Sequence, residues 1–174
     1  MRTSLSRLTA PLAALPLILL SAGCLGTDVA GPVDPQDLTF ATSLGVDLDA
    51  MTITASGLYW QDELAGEGNP AEYGNVLTLD YSLWLHDGRL VESTTSGDGV
   101  PLLVDGIAGN PPETGGWNQL IPGMREGLIG MRIGGRRLLV IPSHLAYGPY
   151  GAGPIPRYAT VVFRIELLTN SSAD

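Results

Sequence analysis

The chain has 174 residues and a formal net charge of −9, with one cysteine and no lysine. That charge excludes a nucleic-acid-binding surface and a basic membrane-binding face, because phosphate groups would repel it. One cysteine excludes an intramolecular disulfide, and no Gly-rich loop ending in Lys-Ser or Lys-Thr is present to cradle a nucleotide.

Residues 1–23 have the make-up of a secretory signal. Arg2 and Arg7 form a positive start, and Leu8 to Leu20 is an apolar run interrupted by Thr9, Pro11 and Pro16. The run is too short for a spanning helix and carries helix breakers, as an export signal does. It closes on Ser21-Ala22-Gly23-Cys24, which resembles the lipobox of bacterial lipoproteins, with Ser21 where that motif usually has Leu. The expectation is cleavage before Cys24 and lipidation of its thiol. With the signal removed, seven arginines stand against 18 acids. The tie to the membrane would therefore be acyl chains, and stable anchoring needs more than one, palmitate among them. Leu25 occupies the position where an Asp often retains lipoproteins at an inner membrane. In a host with two membranes the expected destination is the outer one, facing the periplasm.

Residues 24–50 are rich in Gly, Pro, Thr and Asp and read as the lipidated cysteine followed by a flexible tether, although Leu38, Phe40 and Leu44 would let its second half pack on the domain. Residues 51–170 are long enough for one domain with one core, and 171–174 form a tail. Within the domain, Gly57 to Glu63 reads as a strand. Val76 to Leu85 alternates, with Leu77, Leu79, Tyr81, Leu83 and Leu85 on one face and Thr78, Asp80 and Ser82 on the other. Asp87-Gly88 supplies a tight turn, and Leu90 to Thr94 returns as the paired strand. Ile121, Met124, Leu128 and Met131 fall at helical spacing and predict one short helix. Gly123, Gly127 and Gly130 each cost that helix about 1 kcal/mol relative to Ala, so a sheet must hold it, and they allow close approach to one. Arg137 to Ile141 is a further strand stopped by Pro142. Val161, Phe163, Ile165 and Leu167 then alternate with Arg164 and Glu166. The expected fold class is α+β, an antiparallel sheet wrapped around one short helix.

Several stretches carry a family resemblance. Residues 123–137 read Gly-Met-Arg-Glu-Gly-Leu-Ile-Gly-Met-Arg-Ile-Gly-Gly-Arg-Arg, and 140–148 read Val-Ile-Pro-Ser-His-Leu-Ala-Tyr-Gly. Ile155-Pro156, the run 159–168, Leu79-Asp80-Tyr81 and Asp87-Gly88-Arg89 join them in order. Over roughly residues 55–168 the chain resembles the FKBP family of peptidyl-prolyl cis–trans isomerases. The resemblance implies a half-wrapped sheet with an apolar pocket for a proline ring. It assigns to that pocket Tyr81, Val91, Glu92, Leu102, Leu120, Ile121, Met124, Tyr147, Ile155 and Phe163. It implies that the Tyr147 hydroxyl and the Ile121 backbone N–H each bind a substrate carbonyl, with Glu92 beside them. The chain departs from the family where Val91 stands for Phe, Glu92 for Asp and Met124 for the Trp of the pocket floor. The connection from Asp105 to Gly116 is longer than usual, with Trp117 after it.

The chemistry suits such a site. Rotation about an X–Pro bond meets a barrier of about 18–20 kcal/mol and takes tens to hundreds of seconds unaided. No bond to carbon need form, so no nucleophile–base pair is required. A dry pocket lowers the barrier by taking the amide out of water and holding it twisted. His86 and His144 lack the spacing of metal ligands, Asp98 and Asp105 do not make a calcium loop, and no cofactor is expected. The expected partners are proline-containing polypeptides, the membrane through the lipid, and macrolide inhibitors only weakly, given Met124. The two functions in view are an isomerase for exported chains and a binding or chaperone module with little turnover.

Overall fold

The strand over Asn75–Leu85 organises the molecule, because its alternation offers one apolar row, Leu77 to Leu85, to one face of a sheet. In the computed structural model, which describes residues 31–94, 100–103 and 120–172, seven strands form one antiparallel sheet: β1 Thr52–Ile53, β2 Tyr59–Leu64, β3 Asn75–Leu85, β4 Leu90–Ser93, β5 Val100–Leu103, β6 Arg136–Ile141 and β7 Val161–Ser172. Their order is β1-β2-β6-β7-β3-β4, with β5 paired to β3 on the β4 side. The α+β class expected from the sequence is the observed one. β3 pairs with β7 along its whole length, from Asn75 opposite Ser172 to Leu85 opposite Val161. β5, where no strand is expected from the sequence, sets Leu102 opposite Leu77. β1 is likewise additional, pairing Thr52 with Trp60.

The single helix of the described residues, α1, spans Pro122–Leu128. It is shorter than the expected face. Ile121 is its N-cap, Pro122 sits in the first turn where a missing N–H costs nothing, and Met131 lies beyond its end yet is buried. A φ of +81° at Gly130 turns the chain away. One face of the sheet closes on this helix: Leu77, Leu79, Leu83, Leu85, Leu139, Ile141, Val161, Phe163, Ile165 and Leu167 form a core with Met124 and Leu128.

The opposite face is also buried, and from Pro35 onward this corrects the tether expected over residues 24–50. From Pro35 onward the chain folds into three 3-10 turns, Pro35–Asp37, Thr42–Leu44 and Leu48–Ala50, and packs against the back of the sheet. Leu44 and Met51 form a second core with Tyr59, Leu138, Val140 and Val162, and Phe40, Val46 and Leu48 pack around it. Polar ties fix this strap: Gln36 donates to the Tyr59 hydroxyl (2.9 Å), and Arg164 donates to the Leu44 carbonyl (3.1 Å). The physical reason lies in β6, whose residues Arg137 to Ile141 are all buried. A strand that is apolar on both faces needs a second cover. Cys24, the signal 1–23 and the loop Asp105–Gly116 with Trp117 fall outside the described residues. Among those described, no helix is long and apolar enough to cross a membrane.

Candidate functional site

Inward-facing positions at one end of the helix-side core converge with the residues that enter the helix. From β3 comes Tyr81, from β7 Phe163, from β4 Val91 and Glu92, from the start of α1 Leu120, Ile121 and Met124, and from the 147–155 loop Tyr147 and Ile155. Leu120, Met124, Ile155 and Phe163 are buried, while Tyr81, Val91, Ile121 and Tyr147 are partly buried and pack on the same cluster. All but two of the residues implied by the family resemblance are thus gathered on one apolar surface. Glu92 joins them through a hydrogen bond. Leu102 is placed only by its backbone register opposite Leu77.

β pairing explains the arrangement. Glu92 lies opposite Leu83, which faces the helix, so its carboxylate falls on the same face as Tyr81. The Tyr81 hydroxyl donates to Glu92 Oε1 at 3.0 Å. The Tyr81 and Phe163 rings lie 5.8 Å apart at 48°, within the range of favourable aromatic pairs. Burial raises the Tyr81 phenol well above its ordinary range, and the hydrogen bond to Glu92 and that group's charge raise it further. Burial also raises Tyr147, followed by the charge of Glu92. Phenols are neutral donors at neutral pH in any case, and these shifts extend that range to more alkaline pH. Tyr81 spends its proton on Glu92, while the Tyr147 side chain makes no hydrogen bond among the described residues. At the helix entrance, the Ile121 carbonyl accepts from the Arg125 N–H (3.1 Å), and no acceptor among the described residues takes the Ile121 N–H. An apolar surface with one neutral hydroxyl and one free backbone N–H can hold an amide by its carbonyls. It offers no activated nucleophile.

One residue of structural weight escaped the sequence reading. Arg137 is 5% exposed and points toward the helix. It binds Asp62 through two nitrogens (2.6 and 3.0 Å) and donates to the carbonyls of Gly127 (2.9 Å) and Ile129 (3.0 Å). A cation at these C-terminal carbonyls complements the helix dipole and fixes the helix end to β2. Its guanidinium also lies 4.2 Å from the Trp60 ring centroid. The only signal for it was register: Arg137 shares the inward face with Leu139 and Ile141. A separate cleft lined by Asp62, Leu64, Gly66, Met131, Arg132 and Gly135 lies at this far end of the helix and contains none of the candidate residues. His144 donates to or accepts from nothing in the cluster; its Nε2 meets the Ser56 carbonyl (2.9 Å). Among the described residues, no three His, Cys, Asp or Glu side chains converge as metal ligands.

Comparison with known proteins agrees with this fold. The profile of the family described as FKBP-type peptidyl-prolyl cis-trans isomerase matches residues 67–168, more than half of the chain. An FK506-binding protein of Neisseria meningitidis serogroup B is 39% identical over 113 residues, covering 64% of this chain and 94% of that protein. The FKBP-type peptidyl-prolyl cis-trans isomerase FkpA of Aeromonas hydrophila is 36% identical over 115 residues, but the match spans only 38% of its length. Among solved structures, FkpA from Escherichia coli superposes with a TM-score of 0.60 at 32% identity, over 71% of this chain and 53% of that one. A crystal structure of AtFKBP13 superposes with a TM-score of 0.58 at 27% identity, over 70% of this chain and 98% of that one. With its sheet, its helix and its ordered motifs all in agreement, the chain belongs to the FKBP-type peptidyl-prolyl cis–trans isomerase family.

Proposed function

We propose that the chain accelerates X–Pro isomerisation in exported polypeptides, at the apolar surface of Tyr81, Val91, Leu102, Leu120, Met124, Ile155 and Phe163. Tyr147 and the Ile121 N–H would hold substrate carbonyls, and Glu92 would fix Tyr81 and set the local charge. The observation that carries the reading is the Tyr147 hydroxyl: it packs on the cluster of the buried Phe163, burial and then the charge of Glu92 raise it further above the ordinary phenol value, and no group among the described residues takes up its proton. A donor in a water-poor site is worth more to a rotating amide than the same donor in water. The proline ring would lie against Phe163 and Met124. Methionine offers volume but no flat face, so turnover is expected to be modest and macrolide binding weak.

A protease-coupled peptide isomerisation assay on the full chain in detergent tests this. Acceleration of a Leu-Pro peptide above the uncatalysed rate is expected. Tight binding of proline-containing segments with no acceleration would favour the binding-module reading instead. The exported, membrane-tied setting rests on Cys24 and the signal before it. Cys24→Ser should abolish lipid labelling and processing, and a mutant still recovered as a processed, lipid-labelled species would refute the anchor.

A further inference from the structure

Away from the apolar surface, the turn between β1 and β2 ties together the helix that carries Ile121 and the segment that leads to Tyr147. The Gly57 N–H donates to the Thr54 carbonyl (3.0 Å) and the Thr54 N–H to Leu58 (2.9 Å), with a φ of +92° at Gly57 that a glycine tolerates. A run of hydrogen bonds leaves this turn toward the helix. The Leu58 N–H donates to Thr54 Oγ1 (3.2 Å), the Thr54 and Ser56 hydroxyls meet at 2.8 Å, and Ser56 Oγ donates to Glu126 Oε2 in α1 (2.7 Å). A hydroxyl has one proton, so Ser56, giving its own to Glu126, accepts that of Thr54. The backbone of the same serine serves the other segment: His144 Nε2 donates to the Ser56 carbonyl (2.9 Å).

We propose that Ser56 is a positioning residue for the isomerase site, setting the separation between the Ile121 N–H and the Tyr147 hydroxyl. The inference rests on the isomerase reading for the role of those two donors. Glu126 lies five residues after Ile121 in the chain, about 7.5 Å along the helix. His144 lies three residues before Tyr147 in the 3-10 turn Ser143–Leu145. The steps from that turn to Tyr147 are themselves fixed, because the Ala146 and Gly148 N–H groups both donate to the Ser143 carbonyl (3.1 and 2.8 Å). Thr54 and the backbone close the turn without the Ser56 side chain, which leaves that hydroxyl for the helix. Its acceptor is a carboxylate, and hydrogen bonds to ionised groups are the stronger kind. Two donors that must meet two carbonyls of one substrate tolerate little error in their spacing.

The test uses the full chain in detergent, a Leu-Pro tetrapeptide, and a temperature at which every variant is folded. Ser56→Ala should lower kcat by about 3–30-fold, the scale of a small misplacement. KM should change little, since the apolar surface is untouched. Ser56→Thr, which keeps the hydroxyl, and Glu126→Gln, which keeps an acceptor oxygen, should both retain wild-type kcat. In amide NMR spectra the Ile121 and Tyr147 signals should move in Ser56→Ala and stay in Ser56→Thr. A lower Tm for Ser56→Ala with kcat unchanged would make Ser56 structural only and overturn the proposal, as would a lower kcat with both amide signals in place. Absence of turnover in the wild-type chain would refute the isomerase reading instead. The two amide signals then decide alone whether Ser56 sets the spacing, and unmoved signals overturn it.

Discussion

Under the proposed function, the residues that matter most are two phenols beside one carboxylate. Tyr81 hydrogen-bonds Glu92, whereas Tyr147 feels that carboxylate only through its charge, so they are separable by mutation. Tyr147→Phe should lower kcat/KM while barely moving Tm, and unchanged turnover would remove Tyr147 from the candidate site. The same pair gives the protein an alkaline limit. Both folded-state values lie above the ordinary phenol value of 10.0, so above that pH the folded chain keeps protons that the unfolded chain releases. Their contribution is complete below about pH 10 and is lost as pH rises toward the raised values. Urea unfolding between pH 8 and 11 should show stability falling at the alkaline end, less steeply in Tyr147→Phe. Met124 is buried at the base of the cluster. Met124→Trp should tighten macrolide binding by about 0.5–1.5 kcal/mol. A stable variant that binds no better would take residue 124 out of the pocket floor.

At the scale of elements, the question is why a seven-residue helix with two internal glycines persists. Isolated helices of that length are not stable in water. Packing and Arg137 hold this one, and the glycines set its distance from the sheet. A Cβ on Gly127 would stand 2.6 Å from Leu139 Cδ1 and 2.7 Å from Cδ2. A Cβ on Gly123 would overlap Ile141 Cγ2 and sit 3.2 Å from Leu145 Cβ. Alanine gains about 1 kcal/mol of helix propensity, but overpacking costs about 1–3 kcal/mol. Gly123→Ala should be the more damaging in thermal melts, because Ile141 is β-branched and stiff at χ1 while the Leu139 methyls can swing aside. A larger loss of Tm for Gly127→Ala would show that the helix, and not the sheet, yields. Because Ile121 and Met124 ride on this helix, Gly123→Ala should also lower kcat/KM.

At the scale of the molecule, the sheet is a shared wall between two cores, one under the helix and one under the strap. Leu44 is 2% exposed in that second core. Leu44→Ala in the full chain should cost about 2–5 kcal/mol, as buried leucine truncations do. A melt unchanged from wild type would show that the strap is only a cover. Pro35 is buried on the folded body, and Cys24 lies eleven residues before it in the sequence, a covalent reach of at most about 40 Å. Under the proposed anchoring the isomerase would work close to the bilayer.

What the sequence alone determined was local and periodic. Alternation placed Leu77 to Leu85 and Val161 to Leu167 in strands with the correct faces inward, and the ordered motifs from Tyr81 to Phe163 carried the family. Both are properties of neighbouring residues, and period-two burial needs no knowledge of partners. The tertiary structure decided the rest. The strap has no periodicity of its own, since three 3-10 turns leave Leu44, Met51 and their neighbours at irregular intervals, and only the apolar back of β6 explains where they go. β5 is a four-residue strand recognisable by its pairing with β3 rather than by its own pattern. Arg137 stands beside Arg136 in the sequence, and only the register of β6 turns it inward, where Asp62 and the helix carbonyls satisfy it. The link between Tyr81 and Glu92 likewise depends on how β4 pairs with β3. Such contacts join residues far apart in the chain, and their energy exists only once the sheet has brought them together.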